Sequence, residues 1–309
     1  MRIAIMAAGA VGAYFGARFA AAGHDVFFFA RGAHRSAIKT NGLKIESTLG
    51  DLHLRDVQLP EDPARVGPVD VVLFAVKMWD LEQAARTLSP MIGPATRVIT
   101  LQNGVDALEQ LETILSHGVA VAGVTQIATV IDAPGIIKHT SPFAFIRCGH
   151  ADNHSDPTLD AFVAAGQQAN IDIALSDNIV RDVWAKFTIL SAIAGTTAAT
   201  RKTAGLLLAD PDTRALFHNI MKEIVAVGRA RGVQLPADFA DQRLAYAQET
   251  LPKNMKASMA HDLDRGNRLE LDWLNGRVVE LGRALGIPTP VNATVYAILK
   301  PYRMGSASA

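Results

Sequence analysis

Cysteine is almost absent: Cys148 is the only one in 309 residues. No internal disulfide can form, and there is no paired-cysteine redox motif or cysteine zinc site. Cys148 lies in the apolar stretch 143–148 and reads as a small buried hydrophobe, which suits a reducing cytoplasm. An excess of charge is missing too. Thirty basic residues balance thirty acidic ones, so nothing points to a nucleic acid or another polyanionic partner. No apolar run reaches membrane-spanning length without a charge, glycine or proline break. The first residues enter a strand directly, so no signal peptide is expected. The nine histidines are scattered. His261-Asp262 looks like half a metal site, but no second ligand group accompanies it, and no metal is expected. P-loop and nucleophile-elbow motifs are absent.

The informative segment is residues 1–31. Arg2–Met6 reads as a buried strand, Ala7-Ala8-Gly9-Ala10-Val11-Gly12 as a turn, and the residues up to Ala22 as a helix stopped by Gly23. Val26–Ala30 reads as a second strand with Arg31 at its end. Strand, glycine turn, helix and strand in this span make a dinucleotide-binding unit, whose helix start can hold a pyrophosphate on backbone N–H groups. Ala7 replaces the usual first glycine and can serve only with a negative φ. Gly9 lets backbone approach phosphate, and Gly12 lets helix approach strand. The competing reading is an ordinary strand-to-helix turn. An acidic residue after the second strand would bind the ribose of NAD, whereas an arginine suits the 2′-phosphate of NADP. No acid lies between Val26 and Lys39, and Arg35 and Lys39 add positive charge near Arg31. The expectation is NADPH/NADP, with a solvated basic loop as the alternative.

Further along, strands at 69–76 and 97–101 alternate with helices at 81–88 and 105–115, the pattern of a largely parallel sheet covered on both faces. Strands follow at 119–130, 135–139 and 143–148, with turns at Ala133-Pro134-Gly135 and Ser141-Pro142. A helix at 157–168 and a strand at 171–175 close this half. The rest is helical: 179–199, 213–231, one face marked by Leu274, Val278, Leu281 and Leu285, and a last helix around Val295–Tyr302. The reading is an α/β chain: a dinucleotide-binding domain over 1–175, an all-α domain over 176–304, and a disordered tail over 305–309.

Polar residues follow strand ends at Lys77 and at Gln102-Asn103-Gly104, and Thr125-Gln126 interrupts an otherwise apolar strand. Ligands of open α/β sheets bind at that edge, so Lys77 and Asn103 are candidates for the cofactor's ribose and nicotinamide. Helix and loop capping is the alternative. Lys186 sits in the apolar helix Trp184–Leu190, where a lowered pKa would suit a proton donor. Snorkelling to water is the plainer reading. Glu270 and Asp272 open an expected helix over 269–285, where acids also simply favour the N-terminus.

These segments together resemble the ketopantoate reductase (2-dehydropantoate 2-reductase) family. The resemblance is carried by Ile5–Gly16 with Ala30-Arg31-Gly32, Ala75-Val76-Lys77, Leu101-Gln102-Asn103-Gly104 and Trp184-Ala185-Lys186-Phe187. Ser258-Met259 with Asp262, and Glu270-Leu271-Asp272 with Asn275-Gly276, complete it. It implies a Rossmann-like N-terminal domain, a helical C-terminal domain, and NADPH-dependent reduction of a 2-keto acid in pantothenate biosynthesis. Lys186 matches the family's catalytic proton donor, and Glu270 a residue that contacts cofactor and organises the site. Lys77 and Asn103 match cofactor contacts, and Ser258 a substrate-binding serine. The chain departs from the family at Leu190 and Ala194, four and eight residues after Lys186, and at Met255, where asparagines normally hold ketopantoate. Loss of matched polar contacts can cost on the order of 10⁴-fold in discrimination. The expected pocket is therefore more apolar, and the expected substrate is a bulkier 2-keto acid or related carbonyl. True ketopantoate reduction, with Thr196, Thr197 or Asn254 compensating, is the first alternative. A catalytically silent NADPH-binding module is the second. A homodimer is compatible with the helical domain.

Overall fold

Ile3, Ala4 and Ile5 are wholly inaccessible because β1 (Arg2–Met6) runs inside a sheet. The structure is a computed structural model that describes residues 1–116 and 118–306. The chain forms two compact units, one of residues 1–102 and 106–179, the other of residues 103–105 and from Val180 onward. The division thus falls four residues beyond the expected boundary, and Asn103–Val105 join the helices rather than the sheet.

In the first unit β1 is followed by α1 (Ala10–Ala21), β2 (Asp25–Phe29), α2 (Gly32–Asn41), β3 (Leu43–Ser47), β4 (Leu52–Leu54) and β5 (Val71–Phe74). Next come α3 (Leu81–Arg86), β6 (Arg97–Thr100), α4 (Ala107–Ile114), β7 (Ala120–Ala133), β8 (Ile136–Gly149), α5 (Pro157–Gln168) and β9 (Asp172–Leu175). The sheet order is β2-β1-β5-β6-β7-β8-β3-β4, with β9 also on β8. From β2 to β7 every pairing is parallel. These strands are covered on both faces, as their continuous apolar runs require. Met6 lies opposite both Phe29 and Phe74, and Phe74 opposite Thr100, so the segments after β1, β2, β5 and β6 leave one common edge.

One expectation and one alternative for this unit need correction. Ser141-Pro142 does not reverse the chain. β8 runs through it, and the register on β7 jumps from Ala144 to His139, so 140–143 form a bulge. Proline fits there because a bulged residue needs no ladder N–H, and the Ser141 hydroxyl accepts from Ala128 N at 3.0 Å instead. The segment after Arg31 is not an open basic loop but the helix α2, which starts on Gly32 in a left-handed conformation and ends at Gly42.

The second unit consists of α6 (Ile179–Thr200), α7 (Ala204–Ala209), α8 (Pro211–Ala230), α9 (Phe239–Thr250), α10 (Ser258–Asp264), α11 (Asn275–Leu285) and α12 (Pro290–Leu299). No strand occurs there among the described residues. Residues 191–198 of α6 are all buried, so this helix is the core around which the others pack. The helix expected over 269–285 is interrupted. Leu271–Trp273 is a 3-10 turn, Leu274 leaves helical geometry at φ −108° and ψ −106°, and α11 begins only at Asn275. In the tail, Ser306 N bonds Gly266 O at 2.9 Å, and residues 307–309 lie outside the described residues. No described helix is long and apolar enough to cross a membrane.

Candidate active site

The nucleotide-type features of the first unit gather at the common strand edge. A Cβ added at Gly9 would meet nothing within 4 Å, so the backbone is open to a ligand there. At Gly12 an added Cβ would run into the Ala7 carbonyl and come within 2.8 Å of Ile5. One glycine keeps the approach clear and the other lets α1 pack on β1. Ala7 is not among the residues with positive φ, which meets the condition set by its side chain. Ala8 N is tied to Phe29 O at 2.8 Å. Ala10 and Val11 start α1 without a side-chain cap or an acid in the first turn, leaving its N–H groups available to an anion. These residues fit a dinucleotide pyrophosphate.

Arg31 follows β2. It is exposed, and its guanidinium has no partner among the described residues. Arg35 differs from expectation. It is committed to Leu59 O at 2.9 Å and to Glu61 at 3.1 Å, so it does not reinforce Arg31. Lys77, exposed after β5, lies over the Trp79 ring at 5.5 Å. His34, unremarked in the sequence, borders the turn near Ala8, and burial lowers its pKa. Gln102 carries a clearer signal. Both atoms of its side-chain amide are buried without a hydrogen-bond partner.

The second unit brings Asn103, Lys186 and Glu270 together. Glu270 is 4% exposed and accepts a bond from Asn103 Nδ2 at 3.3 Å. Because Leu271–Trp273 turns as a 3-10 helix, this carboxylate is buried rather than solvated on the first turn of a long helix. Lys186 stands on α6. Burial pulls its ammonium down to about 8, and the Glu270 carboxylate acts in the opposite sense. Ser258 begins α10 and is exposed.

Leu190 is half-buried, as is Met255, and both pack on the helical core. Ala194 is 1% exposed within that core, so it offers no surface to a substrate, unlike the substrate-facing place expected from the family resemblance. The hydroxyls of Thr196 and Thr197 donate to backbone carbonyls one turn back at 2.7 and 2.6 Å, and Thr197 also accepts from Ala257 N. Asn254 is exposed. The threonines are thus spent on the helix itself.

Asp262 caps a loop through Asn267 rather than joining His261 in a metal site. A different group, His150, His154 and Asp156, brings ligand-type atoms within 4.8 Å of one another. Asp156 is already engaged by Arg97, by His150 and by Thr158 N at the start of α5.

The sequence matches the family described as ketopantoate reductase PanE/ApbA over residues 3–153, and its C-terminal counterpart over 178–303. The chain belongs to the ketopantoate reductase family. A 2-dehydropantoate 2-reductase of Mesorhizobium japonicum is 31% identical over 327 aligned positions, covering 97% of each chain. The crystal structure of a PanE/ApbA family ketopantoate reductase from Ralstonia eutropha superposes with a TM-score of 0.87 at 34% identity, covering 98% of both chains. D-mandelate dehydrogenase, solved with NADH and anilino(oxo)acetate, shares the fold at a TM-score of 0.89 and 20% identity. As a member of the ketopantoate reductase family, the protein is an oxidoreductase acting on a CH–OH/C=O pair.

Proposed function

We propose that this protein is an NADPH-dependent reductase of a 2-keto acid, or a related carbonyl compound, with a pocket more apolar than one built for ketopantoate. The observation that carries the reading is the buried Glu270 carboxylate, bonded by Asn103 and acting on the lowered Lys186 ammonium. When bound, the nicotinamide dinucleotide supplies the hydride of the reduction. The turn Ala7–Gly12 would hold its pyrophosphate, Arg31 its 2′-phosphate, and Lys77 and Asn103 its ribose and nicotinamide end. Lys186 Nζ donates a proton to the carbonyl oxygen of the substrate as that oxygen becomes an alcohol. An ammonium near 8 is still charged at neutral pH and releases its proton more readily than one at the ordinary lysine value. The Glu270 carboxylate keeps burial from discharging it altogether. Ser258 is the polar contact left for the substrate, and Leu190 and Met255 supply apolar surface.

Reduction of ketopantoate itself is the second reading, favoured by the Mesorhizobium relative. Against it stand the engaged hydroxyls of Thr196 and Thr197 and the exposed Asn254. Retention of Lys186 and Glu270 speaks against a silent NADPH-binding module. NADPH oxidation with ketopantoate and with larger aliphatic and aromatic 2-keto acids separates all three.

A further inference from the structure

Two buried asparagines and the half-buried Glu223 link four helices of the second unit. Asn275, the first residue of α11, donates from Nδ2 to the Ser191 carbonyl on α6 at 3.3 Å and to Asn292 Oδ1 on α12 at 3.0 Å. Asn292 Nδ2 in turn donates to Glu223 Oε2 on α8 at 2.7 Å. Glu223 accepts from Val291 N and Asn292 N at 2.8 and 2.9 Å, so it caps the start of α12. Both asparagines are fully buried. Gly195 makes the room: a Cβ there would lie 2.7 Å from Asn275 Oδ1 and 2.9 Å from Val295.

This arrangement is poor as a device for stability alone. Asn275 Oδ1 and Ser191 Oγ are buried without hydrogen-bond partners, which costs free energy that an apolar residue would avoid. What the amide does provide is register. Lys186 precedes Ser191 by five residues on the same helix, about 7.5 Å along its axis. Glu270 precedes Asn275 by five residues across the 3-10 turn. The bond from Asn275 to Ser191 therefore fixes the helix carrying Lys186 against the segment carrying Glu270.

We infer that Asn275 is a positioning residue, whose amide clamps α6 to α11 so that the Glu270 carboxylate stays where it acts on Lys186. The inference rests on Lys186 being the proton donor. It is tested with Asn275→Ala, Asn292→Ala and Lys186→Ala, each checked for folding by circular dichroism. Steady-state kinetics over pH give one readout, and titration of the lysine Nζ signals by ¹⁵N NMR in the unliganded protein gives another. Asn275→Ala should lower kcat by about tenfold or more, with KM for NADPH changed less than about twofold. Because Glu270 raises the Lys186 value, loosening it should move the alkaline limb and the Nζ titration down by about half a pH unit or more. Asn292→Ala, which leaves the α6–α11 bond in place, should have the smaller effect of the same sign. Asn275→Ser takes the place of the alanine variant if that one does not fold. A folded Asn275 variant with wild-type kcat and an unmoved Nζ titration would overturn the inference, even if it melts earlier. Wild-type turnover by Lys186→Ala would instead remove the proton-donor reading, and this inference with it.

Discussion

In its proposed role as proton donor, Lys186 answers two opposing demands: keeping a proton at neutral pH and parting with it to a substrate oxygen. Burial lowers its value to about 8, and Glu270, fixed by Asn103, limits the fall. A donor works only while protonated, so kcat should hold below that value and decline as pH rises through about 8. Lys186→Ala should lose about 10²-fold or more in kcat at neutral pH, with NADPH affinity measured by fluorescence titration almost unchanged. Turnover near the wild-type rate in that variant removes the assignment. Arg31 poses the other residue-scale question. Arg35, its apparent helper, is bound to Leu59 and Glu61, so Arg31 would meet a 2′-phosphate largely alone. Arg31→Ala should weaken NADPH binding about tenfold or more while NADH binding changes by less than about threefold. Equal losses for both dinucleotides would contradict a 2′-phosphate contact.

At the scale of elements, what could be read in the sequence depended on whether the signal was local. The strand, glycine turn and helix at the start follow from apolar runs punctuated by Gly9, Gly12 and Gly23, and α5 is announced by Asp156 and Pro157 at its cap. The arm of β7 and β8 was not legible in full, because Pro142 reads locally as a break and only the bulge makes it compatible with a strand. The short β3 and β4 went unread, and α2 carries more polar than apolar residues. Glu270 is marked by the family resemblance but misplaced by periodicity. The apolar spacing of 274, 278, 281 and 285 belongs to α11 and says nothing of the 3-10 turn before it. The tie from Asn275 to Ser191 spans 84 residues and is invisible to any local pattern. On α6 the argument for an apolar pocket narrows to Leu190, since Ala194 is inside the core. Met255 is the matching surface before α10. Replacing both, in Leu190→Asn/Met255→Asn, should raise kcat/KM for ketopantoate by about tenfold or more and lower it for larger apolar 2-keto acids. No gain on ketopantoate in a folded double variant would mean that these positions do not set selectivity.

For the whole molecule, membership of the ketopantoate reductase family settles the class of reaction, an oxidoreduction at a CH–OH/C=O pair. The sheet-based unit offers an open glycine turn and an arginine whose guanidinium has no partner among the described residues. The helical unit offers a tuned lysine and a buried carboxylate. Most of the order of strands and helices was readable because short apolar runs alternate with helical stretches in the first half and strand-type runs are missing from the second. The substrate was not, because the selectivity proposed above rests on a few side chains whose partners come from remote parts of the chain. The most direct measurement is NADPH oxidation by the purified protein with ketopantoate alongside a series of larger aliphatic and aromatic 2-keto acids. The account predicts that kcat/KM is highest for one of the larger, more apolar acids and at least about tenfold lower for ketopantoate. Ketopantoate as the best substrate would contradict it and return the protein to pantothenate synthesis.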